Sequence, residues 1–265
     1  MSLPFWYHSK CSLSSQIHSP DMSPLALTII LGLSAALADG VGGLIIIQRH
    51  WERRYLRYFM AVGSGFMLAT VLVEMFPESL RLAPTHAPLF IMLGYFVVHF
   101  FEHTVTLHFH FGEETHEGEF LHSHKSYSVL LGLIVHTFFD GIAIASGFLI
   151  SNWLGWLIFL AVFLHKIPEG FTVGSVMLAS GRSRRMAFIS SVILGASTLL
   201  GVLAMRALSP MLHVGLPLST GVTLYVAASD LIPEVNKEPG IRVALLVFVG
   251  VAVLLVLDYW FSGIG

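Results

Sequence analysis

Long apolar stretches alternate with short polar ones along most of the chain, after a mixed and polar beginning. A helix rises about 1.5 Å per residue, so roughly 20 apolar residues cross the hydrocarbon core of a bilayer. Eight stretches meet this condition, at about 24–47, 57–80, 88–108, 127–150, 153–180, 185–208, 213–234 and 241–262. The pattern predicts an all-α polytopic membrane protein with eight transmembrane helices.

Two regions do not follow this pattern. Residues 1–23 lack a clean apolar core followed by a small-residue cleavage site, so we predict a flexible N-terminal tail rather than a signal peptide. Residues 24–265 then form one transmembrane domain, interrupted by a His- and Glu-rich loop at about 109–126.

Composition strengthens the membrane interpretation and adds metal chemistry to it. Of 265 residues, 55% are hydrophobic and only 11% are charged, whereas soluble domains carry about 25% charged residues. The net charge of −2, without a basic stripe, gives no reason to expect nucleic acid as a partner. Cys11 is the only cysteine, which excludes an intrachain disulfide and a cysteine metal site. Histidine, the commonest metal ligand among side chains, occurs 14 times.

The distribution of lysine and arginine predicts the orientation, because cytoplasmic connections carry an excess of both. Ten positive residues fall in connections on one side of the membrane, which is therefore the cytoplasmic side: Arg49, Arg53, Arg54, Arg57, Lys125, Arg182, Arg184, Arg185, Lys237 and Arg242. The other side has only Lys10, Arg81 and Arg206. With eight spans, both termini then lie outside, and the His- and Glu-rich loop lies in the cytoplasm.

Two predicted spans end in the same way. The second ends in Glu74-Met75-Phe76-Pro77-Glu78, and the seventh ends in Asp230-Leu231-Ile232-Pro233-Glu234. These spans run in opposite directions, and like sequences in opposite orientation are typical of the inverted repeats of secondary transporters. The pattern indicates a 3+2+3 arrangement, with the first three and last three spans as the halves. Chance is the alternative, since Pro-Glu near a helix end is common.

Polar residues interrupt the fourth and fifth predicted spans, where burial in hydrocarbon is costly. His136 and Asp140 are four residues apart and share one helical face, and so do His165 and Glu169. On two antiparallel helices, these pairs would direct two imidazoles and two carboxylates into one space. Such a set suits a divalent metal such as zinc, with water or a thioether completing the shell. Polar contacts between packed helices are the alternative reading of each residue alone.

Two neighbours modify this site. Pro168 lacks an N–H group and is expected to kink its helix, which frees the carbonyl of Leu164 as a further ligand or water anchor. The Lys166 ammonium would either balance the charge of the buried carboxylates or fill the place of a second cation. Both interpretations of Lys166 stay open on the residues alone.

Four segments resemble those of the ZIP (Zrt/Irt-like) metal transporters: HTFFDG, HKIPEG, GFMLATVLVEMFPE and LYVAASDLIPE. These segments lie between the second and the seventh predicted span, so the resemblance covers nearly all of the predicted membrane part. The resemblance implies an eight-helix bundle with a 3+2+3 inverted repeat and both termini outside. It also implies transport of Zn²⁺ or related divalent cations into the cytoplasm.

The resemblance assigns roles to individual residues. His136, Asp140, His165 and Glu169 fall on the family's metal-binding positions, and Met67 falls where some bacterial members offer a thioether. Ordinary packing is the alternative for Met67, since methionine fills gaps readily. Thr137 stands where an asparagine is usual, and Lys166 where some members carry an acidic ligand. We therefore predict one bound metal, with Lys166 in place of a second ion.

The remaining polar groups give weaker predictions. The four acidic residues of the two Pro-Glu segments would relay cations outside and inside, or simply cap the interface: Glu74, Glu78, Asp230 and Glu234. Histidines of the cytoplasmic loop would collect cations loosely, unless the loop is only a solvated one: His108, His110, His116, His122 and His124.

The leading hypothesis is a carrier that moves a divalent cation toward the cytoplasm by alternating access of a midplane site. Zn²⁺ is the expected substrate, with Cd²⁺, Fe²⁺ and Mn²⁺ as alternatives, and no organic cofactor is expected. The lipid bilayer of the plasma (inner) membrane is the expected environment, and a homodimer stays open. An intramembrane zinc hydrolase and a metal sensor that does not transport are the competing hypotheses.

Overall fold

A computed structural model describes residues 24–48, 53–105, 123–237 and 240–262, and this part of the chain is helical, without a β-strand. The predicted N-terminal tail, residues 1–23, lies outside the described residues, as does most of the His- and Glu-rich loop. The helices are α1 (Pro24–Gln48), α2 (Arg53–Thr70), α3 (Phe76–Leu82), α4 (Ala87–Phe100), α5 (Ser123–Ile150), α6 (Asn152–Ala179), α7 (Arg184–Ala207), α8 (Leu212–Tyr225), α9 (Ile232–Asn236) and α10 (Ile241–Ser262).

Seven helical stretches among the described residues are long and apolar enough to cross a membrane. They are Leu25–Ile46, Leu56–Leu82, Ser126–Ile150, Asn152–Ala179, Arg184–Ala207, Ser209–Asn236 and Ile241–Phe261. The chain is therefore an integral, multi-pass membrane protein. The third predicted span, 88–108, is not among the seven. Helix α4 and a π-helical turn over Phe101–Val105 occupy its described part, and residues 106–108 lie outside the description.

Short connections place α5, α6 and α7 beside one another. Ser151 alone separates α5 from α6, and its hydroxyl accepts a hydrogen bond from the Leu154 amide at 3.1 Å. This N-cap satisfies one of the amides that the first turn of a helix leaves without a partner. Gly181, with φ of 75°, lies in the turn after α6, and the Ser183 hydroxyl caps α7. The chain thus reverses direction at Ser151, which brings the middles of α5 and α6 together.

A π-helical turn includes the first two residues of each Pro-Glu segment. Val71–Met75 lies between α2 and α3, and Val226–Leu231 lies between α8 and α9. Pro77 and Pro233 each follow in the first turn of the next helix. Proline has no N–H group to donate, so a local change in the hydrogen-bond register accommodates it. Glu74 and Asp230 therefore lie in matching irregular turns.

The helix packing repeats between the two halves of the chain. Helix α1 packs on α6 as α7 packs on α5, and α2 packs on α10 as α8 packs on α4. Glycines allow these close approaches. A Cβ built on Gly42 of α1 would collide with the Ile167 carbonyl of α6, and one on Gly170 of α6 would collide with the Asp39 carbonyl of α1. The backbones of α1 and α6 are thus in direct contact beside the polar residues of α6.

Candidate metal centre

Four buried side chains from α5 and α6 meet at one point. His136 and Asp140 come from α5, and His165 and Glu169 come from α6. Each residue offers one ligand atom, and the four atoms lie within 4.8 Å of one another. Both histidines are near the middle of a 28-residue helix, so the cluster is at mid-depth in the two spans.

The carboxylate of Asp140 is the centre of this cluster. Its Oδ2 atom lies 3.3 Å from Nε2 of His136 and 3.2 Å from Nε2 of His165. Nε2 of His165 also lies 3.9 Å from Oε2 of Glu169. A tetrahedral zinc ion with bonds of about 2 Å holds its ligand atoms roughly 3.3 Å apart. The two imidazole–carboxylate distances already match that spacing.

A backbone contact prepares His165 for ligation. Its Nδ1 atom lies 3.1 Å from the carbonyl oxygen of Ala161, one turn earlier on α6. A carbonyl only accepts hydrogen bonds, so Nδ1 carries the proton and donates it. A neutral ring with its proton on Nδ1 would offer the lone pair of Nε2 to a metal, and this is the nitrogen that lies 3.2 Å from Oδ2 of Asp140. Metal-binding histidines are commonly oriented by such a bond from their second nitrogen.

Several ligand atoms make no hydrogen bond with any residue that the structure describes. These atoms are Nε2 of His136, Oδ1 of Asp140 and Oε1 of Glu169. A buried polar atom without a partner costs about 1–3 kcal/mol, and more when it is charged. A divalent cation would satisfy all three atoms at once. The donor set and its unpaired atoms therefore fit a divalent metal ion.

Lys166 contributes a positive charge directly beside the four ligands. Its ammonium nitrogen is fully buried and lies 2.8 Å from both Oδ2 of Asp140 and Oε2 of Glu169. It thus contacts one carboxylate from each of the two helices. Without this cation, the two buried carboxylates would repel each other at close range.

Asp39 on α1 is a further buried carboxylate beside the site, and sequence reasoning missed it. Its side chain is fully buried, and its Oδ2 atom lies 3.8 Å from the Lys166 nitrogen. The available signal was an acidic residue in the middle of the first apolar stretch, where burial is costly.

The structure also describes three further residues that the sequence predicts for this site. Thr137 is buried and its hydroxyl donates to the Ile134 carbonyl at 3.1 Å. Pro168 lies inside α6, which is continuous from Asn152 to Ala179. Met67 is fully buried in an apolar cluster that includes residues of α6. A thioether ligand role for Met67 stays a prediction.

The four predicted relay residues fall into two kinds. Glu78 and Glu234 pair with basic residues one turn away: Arg81 Nε lies 2.8 Å from Glu78, and Lys237 lies 2.9 Å from Glu234. Glu74 and Asp230 lie instead in the π-helical turns, where Glu74 is half-buried and Asp230 is buried.

A second polar cluster surrounds Asp230. The carboxyl group of Glu102, after α4, lies close enough to the side chains of Tyr225 and Asp230 to interact with both electrostatically. Glu102 also lies close enough to His136 to interact with it electrostatically. Sequence reasoning did not join Glu102 to Asp230, because the two residues are far apart in the chain.

The histidines of the predicted cytoplasmic loop are not placed. His108, His110, His116 and His122 lie outside the described residues, and His124 is the second residue of α5, with a side chain that is not described. Their proposed collection of cations stays a prediction.

Comparisons with known proteins find zinc transporters among the relatives of this chain. The family model described as ZIP zinc transporter matches residues 114–258, more than half of the chain. Zinc transporter ZIP13 of Danio rerio is 30% identical over 144 residues, which are 51% of this chain and 41% of that protein. Human zinc transporter ZIP4 is 31% identical over 114 residues, which are 42% of this chain and 18% of that protein.

Human zinc transporter ZIP5 is 32% identical over 133 residues, which are 47% of this chain and 24% of that protein. The matched part thus spans less than half of each of these relatives. Since the family match covers more than half of the chain and includes both helices of the buried cluster, this protein belongs to the ZIP zinc transporter family.

Proposed function

We propose that this chain carries a divalent metal cation, foremost Zn²⁺, across the membrane toward the cytoplasm. The observation that carries the proposal is the convergence of four buried imidazole and carboxylate ligands at mid-depth between α5 and α6. The names of the similar proteins, all zinc transporters, support zinc as the substrate. Cd²⁺, Fe²⁺ and Mn²⁺ suit the same ligand types, and family membership favours transport over hydrolysis.

The site holds one ion in this proposal. Lys166 occupies the position beside Asp140 and Glu169 where a second cation would bridge both carboxylates, and its 2.8 Å contacts support that assignment. The Thr137 hydroxyl donates a hydrogen bond to its own helix, and in this proposal it does not act as a ligand in place of the asparagine that is usual at this position in the family. His136, Asp140, His165 and Glu169 bind the ion, with Met67 as the candidate for a further soft ligand.

The membrane arrangement has eight spans, both termini outside and a 3+2+3 inverted repeat. The equivalent helix pairs and the matching π-helical turns before Pro77 and Pro233 support the repeat. The excess of lysine and arginine on one side supports the orientation. Alternating access then follows from rocking of the two halves against α5 and α6, in the plasma (inner) membrane.

The acidic residues of the π-helical turns relay the cation. Glu74 serves the outer side, and Asp230 serves the inner side. The electrostatic interaction of Asp230 with Glu102, which also interacts with His136, supports the inner step. The ion pairs of Glu78 and Glu234 favour a role as interface caps for these two residues.

The test is a metal-by-metal flux assay in proteoliposomes. We expect zinc uptake by the unsubstituted chain, and its loss by at least about tenfold in His165→Ala and Glu169→Ala, since each removes a ligand of the buried ion. His213→Ala is the matched control because His213 is exposed and its Nδ1 contacts the Pro210 carbonyl instead of the cluster. Zinc binding without flux would contradict transport and favour the hydrolase or sensor hypothesis.

A further inference from the structure

The fully buried carboxylate of Asp39 is not used by the metal site described above. Neither of its oxygens makes a hydrogen bond with another described residue. Its contact with the Lys166 nitrogen, at 3.8 Å, is too long for a hydrogen bond. The close packing of α1 on Gly170 of α6 holds the Asp39 backbone at this place. The buried carboxylate of Asp39 therefore lacks a hydrogen bond and lies just beyond hydrogen-bond distance of the buried Lys166 ammonium.

The metal and Lys166 compete for the same carboxylates. Lys166 contacts Oδ2 of Asp140 and Oε2 of Glu169 at 2.8 Å, and both residues belong to the four-ligand cluster. A divalent cation repels the ammonium and draws these oxygens toward itself. Lys166 then needs another acceptor, because a buried ammonium without one is strongly unfavourable. Among the described residues, Asp39 is the other carboxylate within 4 Å of its nitrogen.

The net charge of the cluster also favours a movement of the Lys166 ammonium to Asp39. The three buried carboxylates of Asp39, Asp140 and Glu169 surround one ammonium. With one divalent cation added, this cluster carries no net charge when the histidines are neutral. Without Asp39, the loaded cluster would carry one uncompensated positive charge in a site that excludes water. Buried charges are tolerated when they are paired.

We propose that Asp39 accepts the Lys166 ammonium when the metal binds, and thereby sets the metal affinity without touching the ion. This inference rests on the proposed metal site of α5 and α6. Asp39 is a positioning residue: it removes Lys166 from the ligand oxygens and balances its charge. The ammonium leaves Asp140 and Glu169, which it contacts at 2.8 Å in this structure, and lies on Asp39 when the metal is bound.

Zinc affinity in detergent, measured by competition with a chelating dye, tests the exchange through a double substitution. We expect Asp39→Asn to weaken zinc binding by about tenfold or more, because Lys166 loses its second acceptor. In Asp39→Asn/Lys166→Met, the stranded charge is gone, and we expect the affinity to return to within about threefold of the unsubstituted chain. Asp258→Asn on α10 is the matched control, and a single symmetrical peak in size-exclusion chromatography checks folding.

The outcomes separate this inference from the proposed function. If the unsubstituted chain binds zinc and Asp39→Asn binds it equally well, the exchange is wrong and the metal site stands. If the double variant is as weak as Asp39→Asn, Asp39 is itself a ligand and the exchange is also wrong. If the unsubstituted chain binds no zinc, both proposals are overturned.

A zinc-bound crystal structure of the unsubstituted chain gives a second measurement, should Asp39→Asn not fold. We expect the Lys166 nitrogen within hydrogen-bond distance of Asp39 and no longer in contact with both Asp140 and Glu169. Retention of both 2.8 Å contacts beside a bound zinc ion would overturn the exchange.

Discussion

At the residue scale, the number of ions in the central cluster should depend on Lys166. Replacing it with aspartate removes the ammonium and places an acidic group beside Asp140, Glu169 and Asp39. A second divalent cation is then needed to balance the carboxylates, so we expect Lys166→Asp to bind two zinc ions where the unsubstituted chain binds one. Inductively coupled plasma mass spectrometry of the dialysed protein measures this ratio.

Lys166→Met is the control for this change. It removes the ammonium without adding a ligand, so this variant should still bind one zinc ion per chain. Two zinc ions in the unsubstituted chain would contradict the assignment of Lys166 to the second place.

Residue spacing in the sequence explains which groups of the candidate site could be predicted and why Asp39 could not. His136 with Asp140, and His165 with Glu169, are predictable because their spacing of four residues places each pair on one helical face. Asp39 has no polar residue three or four positions away in its own segment that would indicate a partner. Its partner, Lys166, lies on α6, and only tertiary packing brings the two within 3.8 Å.

At the element scale, the approach of α1 to α6 should be sensitive to a single methyl group. In Gly42→Ala, the new Cβ would collide with the Ile167 carbonyl of α6. Backbone atoms cannot move aside cheaply, so we expect a loss of about 1–3 kcal/mol in the free energy of unfolding. Thermal unfolding in detergent, followed by circular dichroism, should show a lower melting temperature.

Gly40→Ala is the matched control on the same helix, since a Cβ on Gly40 meets nothing within 4 Å. Alanine favours a helix over glycine by up to about 1 kcal/mol, so this variant should melt at the same temperature or higher. Equal destabilisation by both substitutions would contradict the requirement for close packing at Gly42.

Element boundaries follow closely from the apolar pattern, whereas internal irregularities do not. The predicted spans 153–180 and 185–208 correspond to Asn152–Ala179 and Arg184–Ala207. The apolar pattern does not reveal the π-helical turns before Pro77 and Pro233, because hydropathy is insensitive to hydrogen-bond register. The two Pro-Glu segments mark their positions, since proline disturbs the helical bonds of the preceding turn.

At the scale of the whole molecule, the number of crossings decides on which side each connection lies. Thr85, between α3 and α4, and Ala179, at the end of α6, are both exposed. Three predicted spans separate them: the stretch that contains α4, then α5, then α6. If α4 and its π-helical extension cross the membrane, Thr85 and Ala179 lie on opposite sides. If they do not cross, the two residues lie on the same side.

Single cysteines can decide between these arrangements, because Cys11 is the only native cysteine. We expect a membrane-impermeant maleimide to label Cys11 of the unsubstituted chain on intact cells. In a Cys11→Ser background, it should label Thr85→Cys but not Ala179→Cys until the membrane is permeabilised. Labelling of Ala179→Cys alone would indicate the opposite orientation. Labelling of both introduced cysteines would indicate that α4 does not cross the membrane, which contradicts eight spans. Eight spans with the N-terminus outside require that Cys11 and Thr85→Cys share one side, since two spans lie between them.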